Sequence, residues 1–178
     1  MGSQHSSNRY VSSHGVYSNC NSKIRLLAGS EVDILADGRL DYDDEILAML
    51  DVVVASPHVA LRQDPETATA RLCAAARHPL VHIVGHPTGR LIPDRKGLEP
   101  DIERLVEAAI EGGTALEINA NPWRLDLRDT HARVAIEAGC RLAIDTDAHR
   151  GEHLDFIRYG VLTARRAGAR VGATGRRF

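Results

Sequence analysis

Residues 98–121, LEPDIERLVEAAIEGGTALEINAN, hold the repeating unit that decides the fold of this 178-residue chain. From Leu98 to Glu111 apolar residues recur at helical spacing, Gly112-Gly113 supplies a stop, and TALEINA (114–120) follows as a short strand. The apolar run is nearly continuous where a half-exposed strand would alternate, as expected for a parallel sheet covered by helices.

The alternation extends both ways. IRLLAGSEV (24–32), DVVVAS (51–56) and VHIVG (81–85) precede this unit and RLAIDT (141–146) follows it. Helices are expected over Tyr42 to Leu50, Pro65 to Arg77, Asp129 to Ala138 and His153 to about Ala167, with Asp64-Pro65 and Asp129 as starts and Gly139 as a stop. Five βα units in series imply an α/β domain with a parallel sheet, either open and doubly wound or closed into a barrel. No Gly-x-Gly-x-x-Gly or Gly-x-x-x-x-Gly-Lys loop follows any strand, so the usual dinucleotide and P-loop readings have no support.

Residues 1–22, rich in Ser and Asn, read as a flexible or vector-derived leader, 23–168 as the domain, and 169–178 as a basic tail. Arg165, Arg166, Arg170, Arg176 and Arg177 read as a solvated helix end and frayed terminus. Hydrophobic residues at 43% and charged residues at 26% are ordinary for a globular protein. A net charge of −2 gives no global field for nucleic acid, so any such contact must be local. Cys20, Cys73 and Cys140 are far apart and form no Cys-x-x-Cys pair, against a disulfide framework or a thiolate zinc site. No apolar run is long enough to span a bilayer and no signal peptide is visible, so a cytoplasmic location is expected.

Parallel α/β folds gather their chemistry beyond the C-terminal ends of the strands. Those positions hold Glu31, His58, His86, Asn119 with Asn121, and Asp147 with His149. The intervals between Glu31, His58, His86, Asn119 and Asp147 are 27, 28, 33 and 28 residues, the length of one βα unit. A polar residue recurring at that period returns each time to the same face, so these side chains are expected to converge. Imidazole and carboxylate donors together suit Zn, Mn or Fe. Asp147 and His149, two apart, point the same way if the backbone stays extended. A single histidine at such a place is more often structural than a ligand; the group of five reverses that expectation. His78, His82, His131 and His153 lack a partner pattern and read as structural or exposed. The acidic stretch Asp33, Asp37, Asp41, Asp43, Asp44 and Glu45 reads as a solvated turn and first helical turn.

GSEVDIL, DVVVASPH, VGHPTGR, ALEINANPWRLDL and DTDAH resemble the successive motifs of the PHP (polymerase and histidinol phosphatase) family, and within it the domain at the C-terminus of bacterial family X DNA polymerases. The resemblance covers about residues 24–167. It implies a distorted seven-stranded (β/α) barrel whose strand ends bind up to three divalent metals and hydrolyse phosphoesters. Residue by residue, Glu31 resembles the bridging carboxylate, His58 and His86 complete one metal position, Asp147 helps hold a second, and His149 resembles a ligand of the third. Asp147 and His149 are thereby candidates for catalysis. Arg90 is a candidate to grip a phosphate, with a surface salt bridge as the alternative. Asn119 and Asn121 are candidates for substrate contact or support of the ligands, with backbone capping as the alternative.

The family opens with a strand ending in His-x-His, an Asp five residues on, and a further His on the next strand. His14 in SSHGVYSN matches this only by coincidence, since Ser12 and Asn19 stand where the partners belong. The expectation is therefore a truncated barrel of about five βα units out of seven, with one metal firmly held and others weak, and with unclosed edges prone to self-association. The implied function is hydrolysis of DNA 3′ ends, as a 3′–5′ exonuclease or 3′-phosphatase, impaired by the truncation. The alternatives are a small-molecule phosphatase of the histidinol-phosphatase kind and a non-catalytic metal-binding remnant.

Overall fold

The computed structural model describes residues 27–170. The expected leader 1–22, the first residues of IRLLAGSEV, and the tail beyond Arg170 lie outside the described residues.

Five strands, β1 (Gly29–Asp33), β2 (Val52–Ser56), β3 (Ile83–Val84), β4 (Ala115–Asn119) and β5 (Leu142–Asp145), alternate with helices α1 (Asp44–Leu47), α2 (Pro65–Ala76), α3 (Ile102–Gly112), α4 (Asp129–Glu137) and α5 (Ile157–Arg166). A 3-10 helix, Gly151–Phe156, leads into α5. Every strand is parallel to its predecessor and the order is β1-β2-β3-β4-β5. A doubly wound sheet would reverse direction at a switch point; the order here never does. The fold is thus α/β with a sheet wound one way, consistent with a barrel-like arrangement, and among the described residues β1 and β5 each have one strand neighbour.

Local chemistry accounts for most boundaries. The Asp64 carboxylate accepts the Thr67 N–H (3.0 Å) ahead of Pro65, and Asp101 accepts the Arg104 N–H (3.1 Å), each satisfying a free donor of the first helical turn. Gly113, at φ 69°, closes α3 in the left-handed conformation that glycine adopts without penalty. Several expected elements are shorter, α3, α1 and β3 among them. The Asp101 cap starts α3 at Ile102, leaving buried Leu98 in the preceding loop. No side chain caps α1, which keeps four of the nine residues expected over Tyr42 to Leu50. Of VHIVG, Ile83 and Val84 alone are strand.

Alternation and register divide the sheet into two faces. Val32, Val53, Ala55, Val84, Leu116 and Ile118 point to the side covered by α2 to α5, all at most 1% exposed. The side chains of Leu72, Leu105, Ala132 and Ala164 complete this core from the helices. The opposite face carries Glu31, Asp33, Ser56, Glu117, Asn119 and Asp145. This polar face, opposite the helices, is what the candidate site is built upon.

Candidate metal centre

Glu31 stands in the middle of β1, and not at a strand end as its sequence context suggested, because the strand runs on to Asp33. His58 and His86 each lie two residues beyond the ends of β2 and β3. The three converge: His86 Nε2 is 3.0 Å and His58 Nε2 3.7 Å from the same oxygen, Glu31 Oε1. One donor atom from each residue falls within 4.8 Å of the others. Donors about 2.1 Å from a tetrahedral ion lie about 3.4 Å apart, so the donor set and spacing fit a divalent metal. Partial burial alone would raise the Glu31 carboxyl, but the His86 hydrogen bond, followed by smaller contributions from Ser56 and His58, outweighs it and brings the pKa down to about 2. The carboxylate is therefore ionised, the form that ligates.

Asp33 belongs to this site. Its Oδ1 is 2.5 Å from His58 Nδ1, an arrangement that fixes the imidazole and leaves Nε2 facing Glu31. Asp33 was expected to be part of a solvated acidic turn. The two-residue period from Glu31 along β1 was the signal that places it on the ligand face.

Asp147 and His149 do not join the cluster. The strand ends at Asp145 and Asp147 turns to φ 48°, so the extended geometry expected for this pair is absent. Asp147 Oδ2 instead meets Arg124 Nε (3.4 Å) and Asn119 Nδ2 (3.4 Å). The ring of His149, 73% exposed, donates from Nδ1 to the Asp147 carbonyl (2.8 Å). His86, at φ 24°, is likewise outside the usual backbone region.

Two further carboxyls explain how those backbones are held. Glu117, 4% exposed, accepts the His86 N–H, and Asp145 Oδ1 accepts the Asp147 N–H (3.1 Å). Glu117 and Asp145 are hydrogen-bonded to each other, and burial followed by the negative charge of Asp145 pushes the Glu117 carboxyl well above the usual range. An acid in the middle of the apolar run ALEIN was the sequence signal for this pair.

Arg90 makes no surface salt bridge. Its guanidinium donates to the carbonyls of Arg124 (Nε, 2.7 Å) and Leu125, tying the two loops together beside a cavity of about 430 Å³ that also borders Thr88, Arg95, Arg128 and His131. Asn119 and Asn121 make local turns: Asn119 Oδ1 accepts the Asn121 N–H (3.0 Å) and Asn121 Oδ1 the Trp123 N–H (3.1 Å). Among the described residues the other histidines have structural partners: His78 with Asp44 (3.2 Å), His82 Nδ1 with the Val53 N–H (3.2 Å), His131 with Arg128 (2.9 Å) and His153 with the His149 N–H (3.3 Å). Among the described residues no helix is long and apolar enough to cross a membrane.

No family model matches the chain. It is similar to the DNA polymerase/3'-5' exonuclease PolX of Bacillus subtilis, at 51% identity over 142 residues, 80% of this chain and 25% of that protein. It is also similar to a probable phosphatase of Caldanaerobacter subterraneus, at 36% identity over 136 residues, 71% of this chain and 51% of that protein. A probable phosphatase of Shewanella sp. strain ANA-3 is 31% identical over 135 residues, with the same coverage. The chain thus spans about a quarter of the polymerase and about half of the phosphatases.

Proposed function

We propose that the chain is a member of the PHP family, a reading its similarity to the polymerase/exonuclease and the probable phosphatases supports, and that it is a metal-dependent phosphoesterase that hydrolyses the 3′ ends of DNA. The observation that carries the reading is the convergence of Glu31, His58 and His86, with donor atoms within 4.8 Å of one another. These three hold a divalent ion, Zn, Mn or Fe, and the sheet forms part of the family's barrel. When bound, such an ion supplies Lewis acidity toward the phosphate and makes water a stronger acid.

The chain's own residues have separable tasks. Asp33 orients His58, and Glu117 fixes the His86 backbone. Asp147, beside Arg124 and next to His149, offers a carboxylate on the same edge of the sheet for further ligation or for proton transfer from the attacking water. Arg124, 3.4 Å from Asp147 Oδ2, balances that carboxylate and adds positive charge for an incoming phosphate. The role read for Arg90 in the sequence becomes indirect, since its donors are engaged by the Arg124 and Leu125 carbonyls.

The test is metal content together with release of label from a 3′-labelled oligonucleotide, with and without Mn²⁺. Mn²⁺-dependent release that disappears in His58→Ala is expected; neither metal nor release at any protein concentration would overturn the proposal. The similarity to probable phosphatases favours a second reading, hydrolysis of a small phosphoester. A substrate panel that includes histidinol phosphate separates the two by their relative rates.

A further inference from the structure

Aromatic residues make up only 4% of the chain. Among the described residues Phe, Trp and Tyr number four: Tyr42, Trp123, Phe156 and Tyr159. Three of these gather at one place. Trp123 meets Phe156 edge to face, with centroids 6.2 Å apart, and Phe156 meets Tyr159 at 6.1 Å. The His153 ring stacks on Phe156 at 5.0 Å with 22° between planes.

This cluster adjoins the Asp147–His149 pair. The His149 N–H donates to His153 Nδ1 (3.3 Å), so the stacked ring is hung directly on the backbone of a candidate ligand. On the other side Trp123 precedes Arg124, whose Nε lies 3.4 Å from Asp147. Arg158 lies 4.8 Å from the Tyr159 centroid, while the exposed acids Glu152 and Asp155 stand on the same 3-10 helix as His153 and Phe156.

A cap that merely seals the end of a helix would bury its largest ring. Trp123 is instead 56% exposed, and Leu154 and Ile157, next to His153 and Phe156 in sequence, are also open. Its backbone is fixed from both sides: its N–H donates to Asn121 Oδ1 (3.1 Å) and its carbonyl accepts the Ile92 N–H (2.6 Å). A large ring left open on an anchored backbone is accessible to a flat ligand with little backbone rearrangement.

We infer that Trp123, Phe156, His153 and Tyr159 form a stacking platform for the terminal bases of a single-stranded 3′ end, with Arg124 and Arg158 beside the backbone phosphates. Nucleobases suit it because each has a π-face, and stacking on aromatic side chains next to cationic ones is how single strands are held without sequence preference. The inference rests on the phosphoesterase reading and narrows it to a polynucleotide substrate.

Trp123 is the chain's single tryptophan, so its fluorescence reports on the platform directly, independent of turnover. The full chain is titrated with a single-stranded oligonucleotide, with the same strand carrying abasic residues at its 3′ end, and with inorganic phosphate. The expected result is saturable quenching by the first ligand alone. In anisotropy with a labelled strand, Trp123→Ala should weaken binding by about tenfold or more, and Trp123→Phe should recover most of it. Equal affinity for base-bearing and abasic strands, or an unchanged Trp123→Ala, would overturn the inference. So would quenching that follows protein concentration alone, which would assign the patch to a second copy of the chain. Base-dependent quenching without any hydrolysis would sink the phosphoesterase reading while leaving the platform. Metal-dependent hydrolysis without base-dependent binding would do the reverse.

Discussion

Replacing Glu117 by glutamine and by leucine separates hydrogen bonding from charge at the buried middle of the sheet. Glu117 accepts the His86 N–H, is hydrogen-bonded to Asp145, and has a carboxyl pushed well above its ordinary 4.5 by burial and by the charge of Asp145. The upward shift favours the protonated acid, for which glutamine is the near-isostere: the carbonyl accepts from His86 and the amide donates to Asp145. Glu117→Gln should cost less than about 1 kcal/mol. Glu117→Leu strands the buried His86 N–H, at about 1–3 kcal/mol for such a group. Asp145 keeps the Asp147 N–H, so its own loss is smaller. A total of about 2–3 kcal/mol corresponds to a fall in Tm of roughly 4–12 °C for a domain of this size. Thermal unfolding followed by circular dichroism, in chelator so that metal plays no part, measures both variants. The sign with pH adds a second check. A carboxyl whose folded pKa is raised binds more protons in the native state, so parent stability falls as pH rises above 4.5. The Gln variant lacks that slope and should gain on the parent as pH increases. Equal damage from Gln and Leu would mean that the ionised acid is required, and the account of Glu117 given above would be wrong.

Asp33→Asn should weaken metal binding by about tenfold, the lower end for a residue that orients a ligand, because both members of the Asp33–His58 contact are about one-third exposed; competition against a chelating dye reads this, and unchanged affinity would remove Asp33 from the site. Burial, then the charges of Arg128 and Arg90, lower His131 from 6.5 to about 4. Its neutral form therefore supports the fold fully above pH 6.5, and that support is lost as pH falls through about 4. His131→Gln should flatten the acid side of a urea-midpoint profile, and an unaltered profile would refute the assignment. At Gly112 a Cβ would stand 2.1 Å from the Ala76 carbonyl oxygen. Gly112→Ala should accordingly push α3 off α2 at a cost of about 1–3 kcal/mol, against little change in the same melts for Gly151→Ala, where no atom lies within 4 Å of the added Cβ.

The sequence by itself determined the order of elements, because each βα unit carries its own periodicity, cap and stop within about 30 residues, as Asp64-Pro65, Asp101 and Gly112-Gly113 do. It also marked Glu31, His58 and His86, since residues recurring at the period of one unit return to one face, and three of the five expected ligands meet there. What only the tertiary structure decided depends on contacts between distant segments. The left-handed turn at Asp147 sends the last two candidates away from the cluster, and no local pattern specifies that turn. Asp33 becomes the partner of His58 through the pairing of β1 with β2, 25 residues apart in sequence. Glu117 becomes a buried acid because β4 lies between the loops of His86 and Asp147. Periodicity fixes which face a side chain takes; which neighbour it finds there is set by how the strands are laid side by side.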